Sequence, residues 1–449
     1  MKIFVAGATG VLGRATIPRL VAAGHDVTGI ARSADAARRL EAAGARAARV
    51  SLFDPSALEE AVAGHDAVIN LATAIPSGAD ATKSEAWAEN NRVRSEGSAN
   101  LAAAARAAGA TVYIQESIAF LYTDHGEEWV PPDAELADSI WTDAVKVAEA
   151  NAHAFADAPA GRRGVVLRFG GFYTADSEHT RLLYKAASRG VSIDLGRHDG
   201  YFPAIHVDDA AAAVLAAVEA PTGTYDIVDS EPMDRRQQAR VWSQVLNRTV
   251  RRLPVWMSRF AGVAGPAGQR SMRVSNRRFR AATGWEPAYP SIRDSLPAVV
   301  EQLGGPPPRL GAVVRAGLWA LFLIGVSAGI WIEVDPRHFY DEFPFSRGWV
   351  AADGPYNEHL VRDYGAMNLA LATATLGALV AGTRGLAVTA AAAWTAFGIP
   401  HFIYHLHHLD LYDGFDVAGN AVGTASTAVL PVLLLLGLAR RRPRKDGGR

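Results

Sequence analysis

No cysteine occurs in the 449 residues, which removes disulfide frameworks, thiolate zinc sites and cysteine nucleophiles together. A bound metal would have to be held by His, Asp or Glu. Lysine is almost as scarce, with five residues, so nearly all of the 45 basic residues are arginine. A surplus of either charge sign is also missing. The net charge is -1 with 20% charged residues, which argues against a uniformly basic nucleic-acid binder and against an acidic solvating chain. No nucleic-acid partner is expected. Hydrophobic residues make up 49%, too many for disorder throughout, and the length allows about three compact units at roughly 150 residues each.

The chain changes character at Gly304-Gly305-Pro306-Pro307-Pro308, where rigid prolines beside glycines make a linker, read as 304–309. Upstream, in 1–303, short apolar runs (Lys2 to Ala6, Asp26 to Ala31, Ala67 to Leu71, Val165 to Phe169) alternate with Ala-rich helical stretches. That is the pattern of an α/β fold, a doubly wound parallel sheet of Rossmann type with a small substrate lobe. Downstream, in 310–440, four apolar segments follow, Ala312 to Ile332, Ala366 to Thr383, Leu386 to Tyr404 and Val417 to Leu438. Each is long enough to cross or nearly cross a hydrocarbon core about 30 Å thick, so an all-α four-helix transmembrane bundle is expected. The third segment is Ala-rich, with a break predicted at Pro400.

Loop charges set the expected orientation, since Lys and Arg stay on the cytoplasmic side. Arg309, Arg315, Arg384 and the basic tail 441–449, which continues the run from Arg440 through Arg441, Arg442, Arg444 and Lys445, fall at one end. The connections Glu333 to Asp363, rich in acids, and Leu406 to Asp416, without Lys or Arg, fall at the other. The first strand begins at Lys2 with no cleavable signal ahead of it. A multi-pass plasma-membrane protein with both the soluble part and the C-terminus in the cytoplasm is therefore expected, with membrane lipid as a partner.

Gly7-Ala8-Thr9-Gly10-Val11-Leu12-Gly13 follows directly on the first apolar run and opens a helix. Glycine permits the tight turn and the close backbone approach, and a helix N-terminus offers free N–H groups to a pyrophosphate. After the second strand, where an acid would select NAD by binding the ribose, stand Arg32 and Ser33. A guanidinium and a hydroxyl suit a 2′-phosphate, so NADP is the expected cofactor, with NAD the alternative.

Further pieces stand in order along the chain. They are Phe53-Asp54, Val68-Ile69-Asn70-Leu71-Ala72, Asn100-Leu101, Leu167-Arg168-Phe169 with Tyr173, Ile205-His206-Val207-Asp208-Asp209, Tyr225-Asp226-Ile227-Val228-Asp229 and Gly284-Trp285-Glu286-Pro287. With the glycine turn they make 1–303 resemble the extended and atypical short-chain dehydrogenase/reductases, the NAD-dependent epimerase/dehydratase family. The resemblance implies that Asp54 contacts adenine and Ala72 lies along the cofactor. It also implies a catalytic Ser or Thr, a Tyr, and a Lys four residues after the Tyr. Ser117 matches the serine, which orients the substrate oxygen, and Lys146 matches the lysine, which holds the ribose. Thr142 stands where the tyrosine belongs. An aliphatic hydroxyl cannot be brought near neutral pH by one ammonium group, so three explanations stay open. Tyr122 or Tyr173 substitutes, Glu116 or a substrate group serves, or the site binds nucleotide without turnover. His206, Asp208 and Asp209 are expected to be structural, capping a helix.

In the apolar half, His401, His405 and His408 return to one helix face at steps of four and three. His359 and Asp363 stand just ahead of the second segment. Together they are candidates for a non-thiolate metal site, a quinone-headgroup pocket or a proton relay. Trp319, Trp331, Trp349 and Trp394 are expected in interfacial belts or core packing. These segments weakly resemble small four-helix DoxX-like membrane proteins, through helix count and a polar outer face.

The leading expectation is a membrane-anchored NADP-dependent oxidoreductase or epimerase, acting by hydride transfer on a carbonyl or alcohol of a small or lipidic substrate. The alternative is a catalytically reduced NADP(H)-binding sensor or assembly module. A homodimer is compatible with either, since relatives commonly pair through helices.

Overall fold

The computed structural model describes all residues except 77, 158–160, 195, 261–267, 307–309 and 440–449. The chain divides into two compact units, Met1–Pro307 and Pro308–Arg449.

In the first unit, strands β1 (Lys2–Ala6), β2 (Asp26–Ile30), β3 (Arg46–Ala48), β4 (Ala67–Asn70), β5 (Val112–Ile118) and β6 (Arg163–Phe169) join strand Gly223–Ile227 in one seven-stranded sheet. From one edge the order is Gly223–Ile227, β6, β5, β4, β1, β2, β3, and every pairing is parallel. Helices α1 (Val11–Ala22), α2 (Ala34–Ala42), α3 (Pro55–Val62), α4 (Ala88–Arg92), α5 (Ser98–Ala107) and α6 (Thr142–Ala156) make the crossovers. The period of two in each strand divides its side chains between two cores. Ile3, Val5, Ile69 and Ile114 pack with α1 and helix Val207–Ala217, and Phe4, Val68 and Tyr113 pack with α3, α5 and α6. Strand order reverses at β1, which lies between β2 and β4, so the crevice beyond β1 and β4 is the switch point where such sheets take ligands.

Two local features position the site. A single π-helical turn, Val93–Gly97, joins α4 to α5 and carries Arg94 into the interior, where it is 2% exposed. His206 accepts from Asp208 N at 3.2 Å and caps helix Val207–Ala217. Asp208 receives Arg19 at 2.8 Å, and Asp209 accepts from Ala288 N and Tyr289 N at 2.7 and 3.0 Å. These three residues tie helices and loops together, as a structural role requires.

The second unit holds four helices long and apolar enough to cross a membrane, Ala312–Val334, Glu358–Ala381, Arg384–His407 and Phe415–Ala439. The second begins earlier than its hydropathy, because Asn357 caps it by accepting from Leu360 N. His359 and Asp363 are therefore inside it, not ahead of it. The third runs unbroken through Pro400, correcting the expected break. Proline removes one donor, but neighbouring helices hold a spanning helix together across it. The packing is close because side chains are missing. A Cβ on Gly398 would stand 2.0 Å from Thr427 O, and one on Gly325 would stand 2.9 Å from Asn368 O. Such approach between spans rests on small residues.

Arg315 and Arg384 lie at the end of this bundle where the first helix begins. The opposite end is less purely acidic than its connection suggested, since it also holds Arg337, Arg347 and Arg362. Each of these is paired, to Asp341, Asp416 and Glu358 at 2.8, 2.7 and 2.8 Å. Arg309, Arg440, Arg441, Arg442, Arg444 and Lys445 lie outside the described residues.

Candidate nucleotide and active site

β1 ends at Ala6, and Gly7 turns with φ +78°, a region costly for residues with a side chain. A Cβ there would stand 2.4 Å from the Leu71 carbonyl and 2.6 Å from Ala72 N, so the turn presses against the end of β4. A Cβ on Gly13 would meet Gly7 O at 2.2 Å, which seats α1 on the turn. Gly10 donates to Gly7 O at 3.1 Å and caps α1 with no side-chain bond. Ala8, Leu12 and Gly13 are buried, while Thr9, Gly10 and Val11 remain open to solvent. The first amides of α1 are thus uncapped above a concavity that side chains at Gly7 or Gly13 would fill. This geometry fits a dinucleotide pyrophosphate. Ala72 N donates to Asn70 Oδ1 at 3.2 Å along the same rim.

Arg32 is exposed and has no hydrogen bond or ion pair among the described residues. Ser33, its expected companion, caps α2 instead, accepting from Ala36 N at 3.1 Å. A second arginine takes that place. Ala31 N donates to Ala48 O at 2.9 Å, so Arg32 and Arg49 each stand one residue beyond a bonded pair. Arg49 is likewise exposed and free among the described residues. Asp54 caps α3, accepting from Ala57 N at 3.1 Å through one oxygen, and the other stays open.

The catalytic positions are arranged differently from the expectation. Ser117 is fully buried, and its hydroxyl donates to Glu149 Oε1 at 2.6 Å. Arg168, directly across from Ser117 in the sheet register, donates to both Glu149 oxygens at 2.8 and 2.7 Å and to Tyr122 Oη at 2.9 Å. Tyr122 donates to Asp226 at 2.9 Å. Ser117 is therefore one end of a buried polar chain, and no substrate oxygen is needed to satisfy it. Lys146 is exposed on α6, without a bond or ion pair among the described residues. The α6 residue that receives Ser117 is Glu149, one turn beyond Lys146. Thr142 is 1% exposed, and its hydroxyl donates to Ala137 O at 2.7 Å.

Neither substitute tyrosine is tuned for proton transfer. Burial, then the Asp226 carboxylate, pushes the Tyr122 phenol up, and burial, then Asp229, does the same to Tyr173, whose hydroxyl donates to Asp229 at 3.2 Å. Both move away from the neutral range that acid-base work at physiological pH requires. Burial raises Asp226 to about 6. Glu116, on the opposite strand face from Ser117, pairs with Arg94 at 2.8 Å, the side chains being 6% and 2% exposed, and burial pushes its carboxyl up. Arg94 Nη1 and Glu116 Oε2 are both buried with no partner among the described residues.

Residues 3–228 match the NAD dependent epimerase/dehydratase family. A Streptomyces protein named 3-diazoavenalumate denitrifying reductase is 34% identical over 310 residues, covering 66% of this chain and 99% of that protein. The chain belongs to the NAD dependent epimerase/dehydratase family. An uncharacterized protein of Saccharomyces cerevisiae is 27% identical over 321 residues, again 66% of this chain and 98% of its own length. Among solved structures, UDP-glucose 4-epimerase of Thermus thermophilus in complex with NAD shares the fold with TM-score 0.56 at 18% identity, covering 68% of this chain and 99% of that one. A human epimerase family protein with NADPH shares it with TM-score 0.55 at 20% identity, covering 67% and 99%. NAD(P) is the cofactor typical of this family.

As a family member, the chain keeps the nucleotide turn and departs at Thr142. Glu149, Arg94 and Arg49 were missed by the sequence reading, and Arg168 and Asp226 were noted only as parts of motifs. A pairing register would have revealed Arg168 beside Ser117, and an exact helical phase for α6 would have placed Glu149 on its buried side.

In the helical unit the five polar candidates separate. His359 pairs with Asp363 at 3.5 Å, both well exposed. His408 ends its helix and stacks on Tyr404 with centroids 4.2 Å apart. His401 and His405 instead line a cavity together with Trp331 and Trp349, so these two tryptophans serve a cavity wall. Trp394 is fully buried in core packing. No group of three His, Asp or Glu able to hold a metal ion exists among the described residues, which removes the joint metal site as drawn.

Proposed function

We propose that the soluble unit is an NADP(H)-dependent reductase whose substrate is electrophilic enough to dispense with a tyrosine acid, and that four spans hold it at a membrane. When bound, NADPH supplies a hydride. The uncapped amides at the start of α1, from Val11 onward, take the pyrophosphate, and Arg32 with Arg49 takes the 2′-phosphate. Asp54, through its free oxygen, and Ala72 border the adenosine and nicotinamide portions. Lys146 is left free to reach the ribose, and Ser117 acts through Glu149, positioning β5 against α6. The observation that carries this reading is an intact nucleotide turn beside a missing phenol. Thr142 is committed to Ala137 O, and Tyr122 and Tyr173 are locked to carboxylates.

The relative named a denitrifying reductase points to a suitable substrate class. An aryl diazonium accepts a hydride and loses dinitrogen to leave the arene, so no oxygen has to be protonated. We extend that class to this chain, with activated carbonyls as slower substrates whose alkoxide product takes its proton from water. Arg315 and Arg384 at one bundle end, unpaired among the described residues, against paired arginines at the other, support a cytoplasmic placement of the termini of this bundle. The DoxX-like reading of the spans remains a proposal on helix count.

The test is NADPH consumption by the full chain with an aryl diazonium, an aromatic aldehyde and UDP-glucose. We expect turnover on the diazonium with dinitrogen released one for one, slower turnover on the aldehyde and none on the nucleotide sugar. Epimerisation of UDP-glucose would overturn the reading. Tight cofactor binding without turnover on any of the three would favour the sensor alternative, which the buried Ser117 to Glu149 bond supports.

A further inference from the structure

The helical unit encloses a cavity of about 740 Å³, within the range of sites that hold a small organic molecule, roughly 300–1,000 Å³. It opens among all four spans at the end that carries the two connecting segments. One wall is a continuous run of rings. Phe343 lies 6.3 Å from Trp349 and 4.8 Å from Phe339, Phe339 lies 6.4 Å from Tyr364, and Tyr364 lies 5.9 Å from His401. His401 continues to His405 at 4.6 Å. Rings in mutual contact, tilted or edge-on to one another, make a continuous aromatic wall that offers both faces and edges to another ring.

The polar lining is small and specific. Among the described residues the wall contains no Lys or Arg and one carboxylate, Asp353, whose Oδ1 already accepts from the Tyr404 hydroxyl at 3.1 Å. An anionic ligand, whether phosphate or fatty acid, finds no cation there. Two lining residues each bury a polar atom that has no hydrogen-bond partner among the described residues, Asn420 its Oδ1 and His405 its Nδ1, and Asn420 is only 2% exposed. Orphaned polar atoms in a low-dielectric site are costly to leave unpaired, so a wall that keeps two of them is built for a partner. The amide oxygen needs a donor.

From this geometry we infer that the cavity is a binding site for a neutral planar aromatic molecule bearing a hydroxyl, of the phenol or hydroquinone class, drawn from the bilayer. The ring stacks on the aromatic wall, the hydroxyl donates to Asn420 Oδ1 and meets His405 Nδ1, and an alkyl substituent lies towards Ile324 and Leu360. The inference stands on the helical unit alone and does not depend on the reductase reading.

The test uses the full chain in lipid nanodiscs, with quenching of the Trp331 and Trp349 fluorescence by 4-hexylphenol, hexylbenzene and 4-hexylbenzoate. The phenol should bind about tenfold more tightly than the hydrocarbon, and the benzoate should bind least. Asn420→Leu should remove that tenfold preference while leaving hexylbenzene unchanged, and His405→Phe should reduce it in part. Gly423→Phe should abolish binding of both neutral probes, because a side chain there projects into the cavity with only a Trp349 ring carbon, at 4.0 Å, near its Cβ. Retained NADPH binding and an unaltered helical circular dichroism spectrum would show each variant to be folded. Equal affinity for phenol and hydrocarbon would overturn the inference in favour of a cleft for lipid chains. Preferred binding of the benzoate, or no saturable binding of any probe, would overturn it outright.

Discussion

Glycine serves opposite ends in the two units. At the nucleotide turn, Gly7 and Gly13 let backbone fold onto backbone so that a concavity stays open above α1, its amides free for a ligand. In the helical unit, Gly325 and Gly398 let one span press against the next, closing space that a side chain would otherwise hold open. The same missing Cβ therefore makes a site in one unit and an interface in the other. What decides is the neighbour. A strand-to-helix turn in water has uncapped N–H groups to offer, whereas a spanning helix has satisfied its own and gains only contact.

The sharpest way to break this comparison is Gly398→Leu, whose side chain would occupy the position of the Thr427 carbonyl. The helical unit should lose its cooperative thermal transition in detergent while NADPH affinity changes less than about twofold, read by helical circular dichroism and cofactor fluorescence on one sample. Sites in separate compact units that share no partner should behave additively. Next in size is Gly13→Val, which should weaken NADPH about a hundredfold, near 2.7 kcal/mol, with the helical transition intact. Loss of both functions in either variant would show that the glycines do not act locally.

A smaller effect tests what fills the open site. Arg32→Ala should weaken NADPH by about tenfold and leave NADH unchanged, since a charge-assisted bond to a phosphate contributes roughly 1.5–3 kcal/mol and Arg49 remains. Equal loss for both coenzymes would remove the 2′-phosphate assignment. The smallest effect concerns the buried chain from Ser117 to Asp226. The Asp226 carboxyl is raised to about 6 in the folded protein, above an unfolded value near 3.9, so the folded form holds the proton more tightly. This contribution to stability is full below pH of about 4 and is lost as pH rises through about 6. Asp226→Asn should therefore flatten the decline of the soluble unit's melting temperature between pH 5 and 7 by a degree or two. An unchanged slope would mean that Tyr122 and Arg168 already hold the carboxylate ionised.

Fold and nucleotide turn were legible because both are written locally. Apolar runs at Lys2–Ala6 and Ala67–Asn70 set strands, and Gly7 to Gly13 set the turn, each within a few adjacent positions. The four long apolar helices were legible for the same reason, although Asn357 moved one boundary and neighbouring packing carried the third helix through Pro400. The catalytic end was not legible, because its partners are distant in sequence. Ser117 reaches Glu149, Arg168 meets Tyr122, and Arg94 finds Glu116, none of which any local spacing announces.

The sequence by itself determined which elements form and the tight turn after the first strand, since these follow from backbone propensity, hydrophobic period and the absence of particular side chains. Only the tertiary structure decided which polar groups are satisfied and which are left seeking a partner. A hydroxyl, a carboxylate or an imidazole takes its role from what lies within about 3 Å, and in a folded chain that neighbour is set by packing between elements far apart in the sequence.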